Sequence, residues 1–243
     1  IPFSDPMADG PVIQKASERA LAKGASLRKI IQLVKEVRGV TQIPILLMGY
    51  YNPILAYGLK QYAEDAKAAG IHATLVVDLP PEESAELDRE LKKVKIPLIY
   101  LLAPTSDTER IRLVAKRARG FIYFVSMTGV TGAKFGAGNR LNQHRRCVEG
   151  EATAALPTEG ATRAPMMMIE IQKKIKEIRG FTKLPIVIGF GISNPDQAAR
   201  MAKMADGIVI GSALVSLIHQ KRKSSDLLST VEHFVGQMRK AVS

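Results

Sequence analysis

A short apolar run that follows Pro or Gly, ends in a polar or glycine-rich turn and leads into an amphipathic segment recurs along this chain. The runs cover residues 43–49, 71–77, 96–103, 121–126, 185–189 and 207–210. They are rich in Val, Ile and Leu and do not alternate with polar residues. A strand with one wet face alternates, whereas a strand covered on both faces reads as a continuous apolar run. These six runs are therefore expected to be buried strands of a parallel sheet. Parallel neighbours need long crossovers, which the intervening segments supply as helices.

Those segments carry their own signals. Residues 59–69 are helical in pattern and stop at Gly70, a natural residue for the left-handed end of a helix. Pro80-Pro81-Glu82-Glu83 reads as a helix start, with proline early and acids in the first turn. Ser106-Asp107 reads as a cap for a helix over 108–116, and Ser193 or Asn194 as the cap of one starting at Pro195. Residues 12–22 and 168–179 complete the set.

Six strands are two short of a closed (β/α)₈ barrel. The opening 1–11 segment reads as the loop after a strand that the sequence does not contain. The expected fold is thus a single α/β domain over 1–243, a phosphate-binding TIM barrel lacking strand 1, helix 1 and strand 2. An open doubly wound sheet competes, but no Gly-x-Gly-x-x-Gly turn follows the first run. The rhythm breaks once. Residues 138–165 are poor in periodicity, and 139–166 reads as a disordered insertion in the loop after the sixth barrel strand, or as translated non-coding sequence, rather than a lid.

Composition narrows the function. Aromatics make up 5% and Trp is absent, so the core is aliphatic. The net charge of +12 raises a polyanion partner, but the basic clusters are short, scattered and free of interleaved aromatics, which argues against nucleic acid. No apolar run is long enough to span a bilayer. A single cysteine, Cys147, forms no internal disulfide and fits a reducing compartment, a cytoplasm or a plastid. The four histidines are scattered, with no metal-ligand spacing.

Barrel enzymes work at the C-terminal ends of their strands. Those ends carry Asp5 and Asp9, Tyr50 and Asn52, Asp78, Pro104-Thr105, Ser126 to Gly132, Gly189 to Ser193, and Gly211-Ser212. Gly189-Phe190-Gly191 and Gly211-Ser212 each join a strand to a helix, where glycine lets backbone N–H groups approach a phosphate. Gly129-Val130-Thr131-Gly132 adds a third such loop. Asp9, in Ala8-Asp9-Gly10, is the best acid–base candidate, and equally reads as a turn aspartate. Asp5, beside Pro6, reads more readily as a turn residue. Tyr123 lies within a strand, lining the pocket if it points inward. Asp78 is either a site residue or a loop anchor.

Together these segments resemble the tryptophan synthase alpha subunit. The resemblance rests on Ile-Pro-Phe-Ser-Asp-Pro-Met-Ala-Asp-Gly at 1–10, Met-Gly-Tyr-Tyr-Asn-Pro-Ile at 48–54, Asp-Leu-Pro-Pro-Glu-Glu at 78–83, Gly-Val-Thr-Gly at 129–132, Gly-Phe-Gly-Ile-Ser at 189–193 and residues 207–212. It covers about 1–134 and 168–236. It implies a carbon–carbon lyase that cleaves indole-3-glycerol phosphate to indole and glyceraldehyde 3-phosphate. It implies no cofactor in this chain, and a beta subunit carrying pyridoxal phosphate, in an alpha-beta-beta-alpha heterotetramer, that receives the indole.

By the same resemblance Asp9 is catalytic. Tyr50, Tyr123, Thr131, Gly132, Gly189, Phe190, Gly191, Gly211 and Ser212 bind substrate, and Asp5, Pro6, Asn52 and Pro53 face the partner. The family's second catalytic acid, a glutamate three residues before the Ile-Pro-Phe-Ser-Asp motif, falls just upstream of Ile1. The 243 residues as written are therefore expected to be weakly active or inactive. A non-catalytic barrel subunit that regulates a beta chain is the alternative.

Overall fold

The fold is described from a computed structural model over residues 1–125, 159–189 and 191–243, and over 159–167 for the backbone alone. The elements run α1 (Pro11–Ala22), α2 (Leu27–Arg38), β1 (Leu46–Gly49), α3 (Tyr51–Tyr57), α4 (Leu59–Ala68), β2 (Ala73–Val76), α5 (Ala85–Lys93), β3 (Leu98–Leu102), α6 (Thr108–Arg117) and β4 (Ile122–Val125). Then follow α7 (Glu159–Arg179), β5 (Ile186–Gly189), α8 (Pro195–Ala202), β6 (Gly207–Val209), α9 (Ser212–Lys221) and α10 (Leu227–Val242).

All six strands are parallel, and their order in the sheet is their order in the chain. A doubly wound sheet reverses its order at a switch point, and this sheet has no reversal. The helices therefore stay on one face and the sheet curls as a barrel wall, with β1 and β6 at its two ends among the described residues.

The two faces of the sheet bury different partners. Thr74, Val76, Leu98, Tyr100, Leu102, Ile122, Phe124, Ile186 and Ile188 are buried facing outward, most of them packed with helix residues such as Tyr62, Leu87, Leu91, Ile111, Ile171, Ile175 and Ile178. Ala73, Leu75 and Ile99 face inward, joined by the partly buried Leu46, Val77, Leu101, Phe121 and Tyr123. Both faces demand apolar residues, which is why the runs do not alternate. Each large side chain fully buried on the outer face contributes about 1.5–3 kcal/mol. The outer face has one polar intruder, Thr74, and Tyr62 satisfies it with a hydroxyl–hydroxyl bond of 2.9 Å.

The helix signals mostly mark real ends. Asp107 accepts from the Arg110 N–H and Asn194 from the Gln197 N–H, each capping its helix. Gly70 adopts φ +81° after α4. The Pro80-Pro81 signal misplaces its helix. Residues 81–84 form a turn and α5 begins at Ala85, because the Ser84 hydroxyl donates to the Pro81 carbonyl at 2.8 Å and pairs with the Tyr100 hydroxyl at 2.9 Å instead of capping. Asn52 and Pro53 lie in the first turn of α3. The expected insertion over 139–166 falls mostly outside the described residues, and α7 begins within that span, at Glu159.

Asp206 staples three elements. Its carboxylate accepts from the Ile186 N–H at 2.8 Å and from Arg179 at 2.9 Å, joining the start of β5, the end of α7 and the approach to β6. The Ile186 bond, with help from Arg179, holds the Asp206 carboxyl below the ordinary range. A carboxylate lowered by folding stabilises above its unfolded pKa and loses that contribution as pH falls through the folded value. Asp206→Ala is expected to cost about 1 kcal/mol at neutral pH, or roughly 2–4 °C in thermal melts, since the group is partly exposed. The difference from the parent should shrink in melts run at pH below the ordinary aspartate range.

Candidate active site

The ends of β1, β2, β3 and β4 open on a cavity of about 580 Å³. Its walls include Met48, Val77, Leu101, Tyr123 and Val125 from the inward-facing strand residues, and its rim includes Ala8, Asp9, Thr105, Ser106, Asp107 and Arg110. An apolar chamber with a few convergent polar groups at strand ends is the usual form of a small-molecule site.

Asp9 is the half-buried carboxylate of that rim. Asp9 N–H bonds to the Pro6 carbonyl at 3.0 Å, forming a turn, and Gln14 donates to the Asp9 carbonyl at 2.9 Å. The side chain does not bond back to its own loop. Its Oδ2 accepts from the Tyr50 hydroxyl at 3.0 Å, and that hydroxyl accepts from the Ala8 N–H at 3.0 Å. Burial raises the Asp9 pKa, and the Tyr50 bond opposes the rise. A carboxylate poised in this way at an apolar chamber can accept a proton or hold a donor.

Tyr50, at the end of β1, is 4% exposed, with its ring 5.2 Å from that of Phe3. Tyr123 projects into the chamber from β4, and burial raises its pKa. Asp78 proves to be a loop anchor: its Oδ1 accepts from the Tyr51 N–H at 2.8 Å and holds the start of α3. Asp5 bonds Ser4 at 2.5 Å in the turn, as the Pro6 neighbour suggests.

Gly189, Gly191, Gly211 and Ser212 are not themselves part of this lining, though Gly189 borders it. Gly189 ends β5 so close to Tyr123 that a Cβ there would sit 2.0 Å from the Tyr123 oxygen. Gly191 adopts φ +57°. Gly211 precedes the first residue of α9, Ser212, with φ −112°, and a Cβ on it would meet nothing within 4 Å. Among the described residues neither packing nor backbone strain demands glycine at Gly211, and none of them fills the space above it. Thr131, Gly132 and Phe190 lie outside the described residues.

Sequence reasoning did not single out Met48, Val77, Leu101 or Arg110. The strand pattern held the signal for the first three, since each occupies an inward register position. Among the described residues no cluster of His, Cys, Asp or Glu could hold a metal, and no helix is long and apolar enough to cross a membrane.

Comparison with known proteins places this geometry. The family model for "Tryptophan synthase alpha chain" matches residues 1–160 and 152–243. The chain belongs to the tryptophan synthase alpha chain family. The tryptophan synthase alpha chain of Geobacter sulfurreducens is 47% identical over 242 residues, spanning all of this chain and 80% of its own length. That of Nitrosomonas europaea is 41% identical over 243 residues and 77% of its length.

Among solved structures, the Legionella pneumophila tryptophan synthase alpha subunit superposes with a TM-score of 0.79 at 33% identity, covering the whole chain and 79% of that subunit. A Pyrococcus furiosus chain, from a study of mutual activation of the tryptophan synthase a2b2 complex, gives 0.76 at 30% identity over 99% of this chain and 84% of its own. The six-stranded wall is thus the larger part of the tryptophan synthase alpha barrel. The lyase role in tryptophan biosynthesis follows from this membership, and the alternative of a non-catalytic barrel is not favoured.

Proposed function

We propose that the chamber binds the indole ring of indole-3-glycerol phosphate and that Asp9 acts on it during carbon–carbon cleavage to indole and glyceraldehyde 3-phosphate. One observation carries the reading: a half-buried carboxylate of raised pKa faces an apolar chamber at the strand ends. Cleavage needs a proton delivered to ring carbon C3 and a base for the glycerol hydroxyl. The ring then develops positive charge, which a carboxylate on the indole N–H stabilises. Asp9 is suited to that last role. The family's glutamate, in the segment before the Ile-Pro-Phe-Ser-Asp motif, supplies a second acid–base group.

The phosphate is assigned to the turns at Gly189, Gly191, Gly211 and Ser212, together with Thr131, Gly132 and Phe190. The approach to Gly211, unfilled among the described residues, and the start of α9, which has no side-chain cap there, support this placement.

A beta chain bearing pyridoxal phosphate is the proposed acceptor of indole. Asp5, Pro6, Asn52 and Pro53 are assigned to its interface. Met7, 91% exposed in the same loop as Asp5, and Leu55, 50% exposed on α3, supply apolar area beside them. Met7→Glu is expected to weaken association with a beta chain at least about tenfold in calorimetry while leaving the melting temperature within about 2 °C, because the side chain is 91% exposed among the described residues.

The direct test is indole release. This sequence, joined to a relative's upstream segment that carries the glutamate, should release indole from indole-3-glycerol phosphate. A folded chain of that kind that releases none would overturn the reading.

A further inference from the structure

We propose that Tyr50 is a positioning residue for Asp9: its hydroxyl, oriented by the Ala8 N–H, aims the carboxylate and keeps it ionised, leaving Oδ1 for the substrate's N–H. The proposal rests on the catalytic reading of Asp9 given above.

A phenol has one proton and two acceptor positions. The Ala8 N–H points at the Tyr50 oxygen at 3.0 Å, so the oxygen acts as acceptor there. Its single proton is then directed to its other partner, Asp9 Oδ2, at 3.0 Å. A phenol donor pointing at a carboxyl oxygen favours the ionised acid. The ring cannot turn away, since Tyr50 is buried at the β1–α3 junction and packs on Phe3. Ala8 and Asp9 are adjacent, so one hydroxyl fixes both the backbone and the side chain of the catalytic turn. The start of α3, next to Tyr50, is in turn held by Asp78.

The surrounding charges leave this role to Tyr50. Burial and the Tyr50 bond are the two largest influences on Asp9. Asp78 acts on Tyr50 rather than on Asp9. Tyr123 and Arg110 share the cavity but make no bond to the Asp9 side chain. Burial and the Asp9 bond both push the Tyr50 pKa far up, so it stays protonated and remains a donor throughout the working range.

The test is a carbon-13 NMR titration of the aspartate carboxyls of this chain, with the Asp9 signal assigned by its loss in Asp9→Asn. In Tyr50→Phe, which keeps the ring and its packing, the Asp9 midpoint should rise by about one pH unit. A midpoint that is unmoved or lowered overturns the proposal. In the indole-release assay, Tyr50→Phe should shift the acid limb of the kcat profile upward by the same amount and lower kcat about tenfold with KM within about twofold. A purely structural tyrosine would lower the melting temperature and leave that limb in place. If Asp9→Asn retains indole release, the catalytic reading fails. If Asp9→Asn is inactive but the Tyr50→Phe titration is unmoved, only the positioning role fails.

Discussion

Asp9→Asn is expected to lower indole release by about 10²- to 10⁴-fold, with KM little changed and stability equal or higher. Asparagine keeps the shape of the side chain, and its carbonyl oxygen can still accept from the Tyr50 hydroxyl. What it cannot do is stabilise positive charge on the indole ring. The loss therefore belongs to the transition state, and kcat carries it. The stability arm follows from the opposite sign. Burial raises the Asp9 pKa above its unfolded value, so ionised Asp9 works against folding at neutral pH, and that cost grows as pH rises through the folded value. Removing the charge removes the cost. A drop in activity accompanied by a large fall in melting temperature would mean that Asp9 holds the turn together rather than acting on a ligand.

The strands were legible because a two-faced parallel sheet leaves an unmistakable trace. Every run over 43–49, 71–77, 96–103, 121–126, 185–189 and 207–210 contains one of β1 to β6, trimmed by a few residues at one or both ends. Caps that use a side chain, such as Asp107 and Asn194, were equally plain. Pro81 misled because residues 81–84 close as a turn, with the Ser84 hydroxyl engaged by Pro81 and Tyr100, and the helix starts only at Ala85. Pro53 was the converse. It sits in the first turn of α3, where its missing N–H costs nothing.

The site was legible as a set of loops and opaque as a set of contacts. Asp9 and Tyr50 stand 41 positions apart, and only the fold puts a hydroxyl on that carboxylate. Asp78 could be read as a site residue or an anchor, and the choice waited on where the Tyr51 N–H pointed.

Gly189→Ala is expected to be the most damaging single-methyl change in the described barrel. Strands β4 and β5 pair with Tyr123 opposite Val187 and Val125 opposite Gly189, so the Tyr123 ring leans across the end of β5. An added Cβ would lie 2.0 Å from its oxygen, 2.6 Å from Cζ and 3.0 Å from Cε1. Three atoms of one partly buried ring cannot yield by a small rotation. The ring must leave its place, and the space it can enter is the substrate chamber that it lines. Overpacking of this kind costs roughly 1–3 kcal/mol in stability. Displacing a wall of the chamber by about 1 Å costs roughly 10²-fold in kcat/KM. Tyr123→Leu removes every atom named in the clash, so the double variant no longer forces the added methyl against that ring. Stability should then return to within about 1 kcal/mol of Tyr123→Leu alone, a strongly non-additive pair in a double-mutant cycle. Additive losses would show that the two side chains do not compete for one volume, and a Gly189→Ala chain with parental melting and turnover would show that Tyr123 does not fill it.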